Sequence, residues 1–333
     1  MAMVRWGLLS TANINRRLIP AIRASARGQL VAVASRRQAA ADAYAAEWDI
    51  PQSFDSYEAL LASGQIDALY IGLPNHLHAE WTVRALEHGI HVLCEKPFAV
   101  TLAEVDRMLD AARDNGRVLA EAFMYRHHPQ TKIAGDWVRG GKLGDISVMR
   151  GVFNFAMGNR DNIRLVPEWG GGSLWDVGVY PLSLAQYFMG GPPAWVFGDH
   201  WIGPSGVDES FTGTLHYNNG SMAQISSAFR TPWYTHFDVM GTLGRLVMTR
   251  PFTGLEGDAR RLTFIGPDEA EHEIAVPEQE LYAGEVEDMH DAILTGRPPY
   301  IGLNETRDHV RTVLALYESV RRGERVYVEE ITA

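Results

Sequence analysis

Val4-Arg5-Trp6-Gly7-Leu8-Leu9-Ser10-Thr11-Ala12-Asn13-Ile14-Asn15, running into Arg16-Arg17-Leu18-Ile19-Pro20-Ala21-Ile22, is the stretch that decides the fold. An apolar run feeds a segment of helical periodicity through a tight turn. A dinucleotide-binding fold places its Gly-x-Gly-x-x-Gly loop at that point, but here Ser10, Ala12 and Asn15 stand at the three glycine positions. Glycines in such a loop avoid a Cβ clash with the pyrophosphate or supply a φ that other residues dislike. Serine, alanine and asparagine are nearly as small, and Ser or Asn can bond a phosphate or cap the helix. Read alone, the turn is either a dinucleotide loop without its glycines or an ordinary turn.

The sequence on either side favours the first. Strands are expected at 4–9, 29–34, 68–72, 91–94 and 118–122, and helices at 15–26, 37–48, 56–61, 76–89 and 101–114. Thr101 with Glu104 has capping-box form, and Asn115-Gly116 ends that helix with residue types that favour a left-handed cap. Short apolar strands alternating with helices imply a doubly wound parallel sheet covered on both faces. After about residue 124 the texture changes. Strands at 146–156, 194–202, 209–217, 221–229, 235–241 and 245–248 carry alternating polar residues, and Asn218-Asn219-Gly220 reads as a hairpin turn. Helices are expected at 282–294 and 305–321. The division is an α/β Rossmann domain over residues 1–123 and an α+β domain over 124–333 with an open, mainly antiparallel sheet.

A chain of 333 residues suits two cores, since one rarely grows past roughly 250–300 residues. The formal charge of −11 lacks the clustered Lys/Arg surface of a nucleic-acid binder. The single cysteine, Cys94, excludes an intrachain disulfide and a thiolate zinc site, and inside a strand it is most simply a small hydrophobe. No apolar run is long enough to span a membrane, and the N-terminus enters a strand without signal-peptide features. A cytoplasmic protein is expected.

Three stretches carry chemistry. Ser35-Arg36-Arg37, after the second strand, lacks the acid that binds both ribose hydroxyls of NAD; serine and arginines suit a 2′-phosphate, so NADP is expected, with NAD possible. Glu95-Lys96-Pro97 follows a strand whose carboxyl end faces the ligand crevice, where a lysine can reach a substrate. Gly170-Gly171-Gly172-Ser173-Leu174-Trp175-Asp176-Val177-Gly178-Val179-Tyr180-Pro181 places Asp176 and Tyr180 four apart, on one helical face. A tyrosine beside a lysine can serve as proton donor, because the cation stabilises the phenolate. The adjacent His127 and His128 point apart and lack partners at ligand spacing, so no metal is expected.

Together with Leu73-Pro74-Asn75-His76-Leu77-His78, these elements resemble the glucose–fructose oxidoreductase, inositol dehydrogenase and MocA (Gfo/Idh/MocA) family over essentially the whole chain. Arg5-Trp6-Gly7, Glu121-Ala122-Phe123-Met124-Tyr125-Arg126, Asn162-Ile163-Arg164 and the tyrosine at 180 resemble its branch of glucose–fructose oxidoreductase, dimeric dihydrodiol dehydrogenase and NADP-linked D-xylose dehydrogenase. The resemblance implies hydride transfer between NAD(P) and a carbinol or carbonyl carbon of a sugar or cyclic polyol. It implies that Lys96 and Tyr180 bracket the reacting oxygen while Asp176 binds a sugar hydroxyl or positions Lys96. Ser10, Thr11, Ala12, Asn13 and Ile14 would hold the cofactor, with Leu73, Pro74 and Asn75 beside the nicotinamide ribose and His78 and Glu95 as further contacts. Arg126, Asn162 and Arg164 become substrate candidates, and the open sheet a homo-oligomer surface. Alternatives are a keto- or anhydro-sugar reductase and a catalytically silent NADP-binding sensor.

Overall fold

The computed structural model describes residues 3–253 and 260–333. The chain begins with β1 (Val4–Leu9), α1 (Asn15–Ala24), β2 (Gly28–Ala34), α2 (Gln38–Glu47), β3 (Gln52–Phe54), α3 (Tyr57–Ala62) and β4 (Ala68–Ile71). It continues through α4 (His78–Glu87), β5 (His91–Glu95), α5 (Leu102–Asn115), β6 (Leu119–Ala122) and α6 (Pro129–Arg139). Next come β7 (Ile146–Ala156), α7 (Val179–Met189), β8 (Trp195–Ile202), β9 (Asp208–His216), β10 (Met222–Ala228) and β11 (Arg230–Gly241). β12 (Gly244–Thr249), β13 (Leu262–Ile265), β14 (Glu271–Ile274), α8 (Ala283–Thr295), α9 (Leu303–Arg322) and β15 (Val326–Tyr327) complete it.

Two compact units result: Met1–His127 with Tyr282–Thr306, and His128–Leu281 with Arg307–Ala333. Residues 282–306, which the sequence reading placed in the second domain, therefore pack with the first. The cause is a set of long-range bonds to α8. The Trp6 indole N–H donates to His290 Nε2 at 2.9 Å, and Arg27 pairs with Asp291 at 2.5 Å and with Glu287.

In the first unit six parallel strands take the order β3-β2-β1-β4-β5-β6, the doubly wound arrangement. β4 is buried along its whole length, as a strand covered on both faces must be. α5 carries the expected capping box: Thr101 Oγ1 accepts the Glu104 N–H, and the Glu104 carboxylate accepts the Thr101 N–H. Gly116 ends it at φ 60°. The strand order reverses between β1 and β4, so the crevice opens beyond their carboxyl ends, where Ser10 and Leu73 lie.

The second unit holds a nine-stranded sheet, β14-β13-β12-β11-β7-β10-β9-β8-β15. Only β7 and β10 pair in parallel; the other neighbours are antiparallel. β9 and β10 alternate buried and open positions, and the expected hairpin joins them with Gly220 at φ 86°. α6 was not read from the sequence, nor were the short β3, β13, β14 and β15. Among the described residues no helix is long and apolar enough to cross a membrane.

Candidate active site

The first unit brings four loops to the carboxyl edge of its sheet. After β1, Ser10 adopts φ 110°, a conformation normally left to glycine. The Ser10 N–H donates to Ala34 O at 3.1 Å, and the Asn15 side-chain amide donates to Ser10 O at 2.7 Å. Ser10 Oγ accepts the Ala12 N–H at 3.3 Å. The loop thus keeps the backbone path of a glycine-rich turn, and buried Asn15 braces it from beneath. No side chain caps the N-terminus of α1, and its first turn holds no acid. Uncapped N–H groups and the positive end of the helix dipole suit a diphosphate. These observations fit a dinucleotide.

Beside this loop, Ser35 closes β2 and Arg36 and Arg37 are exposed at the start of α2, which likewise lacks a side-chain cap. Pro74 and Asn75 follow β4, half-buried, with Leu73 buried before them. The Glu95-Lys96-Pro97 turn ends β5 with a cis bond before the proline, and Lys96 is half-buried. The Glu95 carboxylate is held within the fold: it accepts from the Tyr70 hydroxyl and, at 3.2 Å, from the Lys96 N–H. Burial and Glu95 push the Tyr70 hydroxyl well above the usual phenol range, so it remains the donor.

His78 is also placed otherwise than expected. It is 0% exposed, with Nδ1 2.8 Å from Pro97 O and Nε2 2.8 Å from Leu73 O. Both nitrogens face backbone, so the ring ties the lysine turn to the end of β4 rather than meeting a ligand. Burial lowers its pKa. Arg126 is 1% exposed and paired with Glu305 at 2.6 Å, which makes it an internal cation rather than a substrate-facing one.

In the second unit the three glycines lead into one turn of π-helix, Leu174–Gly178, before α7. Single π turns are rare and concentrate at functional sites. Asp176 lies in that turn and Tyr180 in the first turn of α7. Gly172, at φ 124°, is required twice over: its conformation disfavours a side chain, and a Cβ would lie 2.1 Å from Asp208 Oδ1. Buried Asp208 accepts from Ser173 Oγ at 2.9 Å, the Leu174 N–H at 2.8 Å and the Tyr317 hydroxyl at 2.8 Å. Burial raises its pKa.

Tyr180 is 5% exposed, its ring edge-on to Phe153 at 5.2 Å and tilted on Phe252 at 5.7 Å. Asp176 is 8% exposed and accepts from Arg164 Nε at 2.8 Å. Arg164 stands outside, 44% exposed, on a short turn that Asn162 caps by accepting the Arg164 N–H at 3.0 Å. Asp176 and Arg164 thus form an ion pair one turn before Tyr180, while the Asn162 oxygen serves the loop. Sequence reasoning passed over Asp208 and Glu121 as site residues. A lone acid inside the apolar strand Leu119-Ala120-Glu121-Ala122 is a signal that could have marked Glu121; Asp208 has none.

Residues 4–123 match the family described as "Oxidoreductase family, NAD-binding Rossmann fold", and residues 132–247 match "GFO/IDH/MocA C-terminal domain". The chain is 38% identical to D-xylose 1-dehydrogenase (NADP(+)) 2 of Haloferax volcanii over 97% of this chain and 99% of that protein. Among solved structures, it is similar to the 3-ketoreductase KijD10 from Actinomadura kijaniata in complex with NADP and TDP-benzene. The TM-score is 0.87 at 29% identity, over 95% of this chain and 98% of that one. An aldose-aldose oxidoreductase from Caulobacter crescentus complexed with glycerol gives a TM-score of 0.89 at 27% identity, covering 98% and 99%.

Proposed function

The chain belongs to the Gfo/Idh/MocA oxidoreductase family, and on that premise we propose that it is an NADP(H)-dependent dehydrogenase of a sugar or cyclic polyol, aldose 1-dehydrogenase-like. The observation that carries this reading is the end-to-end match to the D-xylose dehydrogenase. Ser10 to Ile14 hold the diphosphate, Ser35, Arg36 and Arg37 the 2′-phosphate, and Leu73, Pro74 and Asn75 border the nicotinamide ribose. When bound, the nicotinamide supplies or accepts the hydride. Tyr180 takes the proton of the substrate hydroxyl in oxidation and returns it in reduction. Lys96 stabilises the negative charge that develops on the same oxygen. Asp176, held by Arg164, binds a substrate hydroxyl.

A second reading, reduction of a keto- or anhydro-sugar, draws on the similarity to a 3-ketoreductase. We also place the protein in the cytoplasm, as a homo-oligomer formed through the second sheet. Phe197 on β8 and Tyr234 on β11 are exposed, and wide apolar faces are rarely left wet.

The test follows nicotinamide absorbance in both directions with NADP and NAD, using a panel of aldoses and polyols against keto- and anhydro-sugars. Oxidation of an aldose with NADP⁺, at least about tenfold faster than with NAD⁺, is expected, since one lost charge-paired contact is worth roughly 1.4 kcal/mol or more. Faster keto-sugar reduction at neutral pH selects the second reading. Tight NADP binding with no turnover on any compound leaves a sensor.

A further inference from the structure

The Glu95-Lys96-Pro97-Phe98 turn leaves the sheet, so its backbone polar groups lose their ladder partners and must find others. Four of them are met by side chains from three different elements. Glu95 on β5 takes the Lys96 N–H, and His78 on α4 lies 2.8 Å from Pro97 O. Cys94 on β5 donates to Phe98 O at 3.9 Å, and Glu121 on β6 accepts the Phe98 N–H at 3.2 Å. Pro97 has no N–H, so the Phe98 N–H is the first backbone donor after Lys96.

We propose that Glu121 is a positioning residue for Lys96, its buried carboxyl holding the Phe98 N–H and thereby the downstream side of the turn that carries the amine. This rests on the reading that Lys96 acts on the substrate. Glu121 is 2% exposed, on a strand otherwise made of Leu and Ala. Burying a carboxyl there is costly, and a well-packed apolar residue would be cheaper unless the acceptor is needed. The groups around it are Glu305 and Thr306 at the start of α9, Arg126 after β6, and Cys94 on β5. Burial, with Glu305 adding to it and Thr306, Phe98 and Arg126 opposing, pushes its pKa up to about 8. At neutral pH it is mostly a protonated carboxyl whose carbonyl oxygen can accept the amide. Above pH 8 it becomes an anion between Glu305 and Arg126.

The two variants to compare are Glu121→Gln, which keeps an acceptor oxygen and cannot titrate, and Glu121→Met, which fills the space without one. In protein labelled with ¹⁵N-phenylalanine, the Phe98 amide resonance should titrate near pH 8 in the wild type and stay flat in Glu121→Gln. kcat at pH 7 should remain within about threefold of wild type in Glu121→Gln and fall at least about thirtyfold in Glu121→Met, with NADP affinity changed less than about threefold in both. A wild-type Phe98 amide that does not titrate and whose resonance is also unmoved in Glu121→Met overturns the clamp, whatever the kinetics show. A titrating amide with Glu121→Met keeping kcat within twofold overturns the positioning role. If Lys96→Ala in the same assay stays active while the amide titrates, the clamp stands and the catalytic reading of Lys96 falls.

Discussion

Phe153 and Phe252 leave the Tyr180 ring little freedom, so its hydroxyl has a defined direction even though the ring itself is buried. If that hydroxyl moves the proton, Tyr180→Phe keeps the ring packing and removes one chemical group. NADP affinity should stay within about twofold while kcat falls about 10²–10⁴, the usual size of a general acid–base contribution. Lys96→Ala should cost more, because it removes both charge stabilisation and the cation that favours the phenolate. Pre-steady-state absorbance with a fluorescence titration of NADPH checks both. Full activity in Tyr180→Phe removes the phenol from the chemistry, and a smaller loss in Lys96→Ala than in Tyr180→Phe reverses the ranking. At this scale the sequence revealed residue size but not conformation. Ser10 is small enough for a phosphate loop, yet nothing in its identity announces φ 110°. His78 likewise reads as a first-turn histidine near a cofactor, and only the packing of α4 against the lysine turn shows that both its nitrogens face backbone.

The π turn before α7 depends on one distant acid. Asp208, on β9, takes the Leu174 N–H and the Ser173 hydroxyl at the entry to that turn, while Gly172 makes room for it. Asp208→Ala would take the acceptor from the Leu174 N–H and the Tyr317 hydroxyl, at about 1–3 kcal/mol each before any relaxation, while Ser173 keeps Ser227. A loss of about 3 kcal/mol or more in urea unfolding is expected, with kcat reduced because Asp176 and Tyr180 follow directly. Asp208→Asn, keeping one acceptor oxygen and the shape, should lose clearly less. An alanine variant within about 1 kcal/mol of wild type would show that the turn holds itself. Elements such as α5 were legible because their determinants are local: Thr101, Glu104 and Gly116 lie within sixteen residues of one another. The π turn was not, since its anchor lies some thirty residues downstream, and a sequence window shows Asp176 and Tyr180 only as an i, i+4 pair. α6 was missed because its start relies on His128, an uncommon cap, and a glycine at 135 interrupts its pattern. α8 was found as a helix but assigned to the wrong unit, since Trp6 and His290 are 284 residues apart.

Across the whole molecule, stability should pass through a maximum in pH set by groups on opposite sides of neutrality. Burial lowers the pKa of His78 and His290, and brings His91 and His128 to about 4. The His91 ring shows why: its Nδ1 accepts the Val118 N–H at 2.8 Å, a bond that protonation breaks. In His91, His128 and His290 a ring nitrogen accepts an N–H, which keeps the ring neutral in the fold, whereas each takes a proton near pH 6.5 when unfolded. Their contribution is complete above 6.5 and is lost as pH falls toward 4, at most about 1.4 kcal/mol per pH unit for a fully buried ring and less for the partly solvated His91. Glu121 acts in the other direction. Its folded pKa, about 8, lies above an ordinary 4.5, so the fold binds the extra proton and stability declines as pH rises from 4.5 to 8. Below 6.5 His91 and His128 together outweigh Glu121, and stability drops with acid. Above about pH 7 the histidines contribute little further change, and Glu121 should remove about 1 kcal/mol between 7 and 8. Urea midpoints at pH 5, 7 and 8 should therefore peak at 7, and Glu121→Gln should flatten the alkaline side while leaving the acid side in place. A wild-type midpoint that keeps rising to pH 8 would mean that Glu121 is already ionised in the folded protein, and an alkaline decline that survives the glutamine substitution would belong to another group.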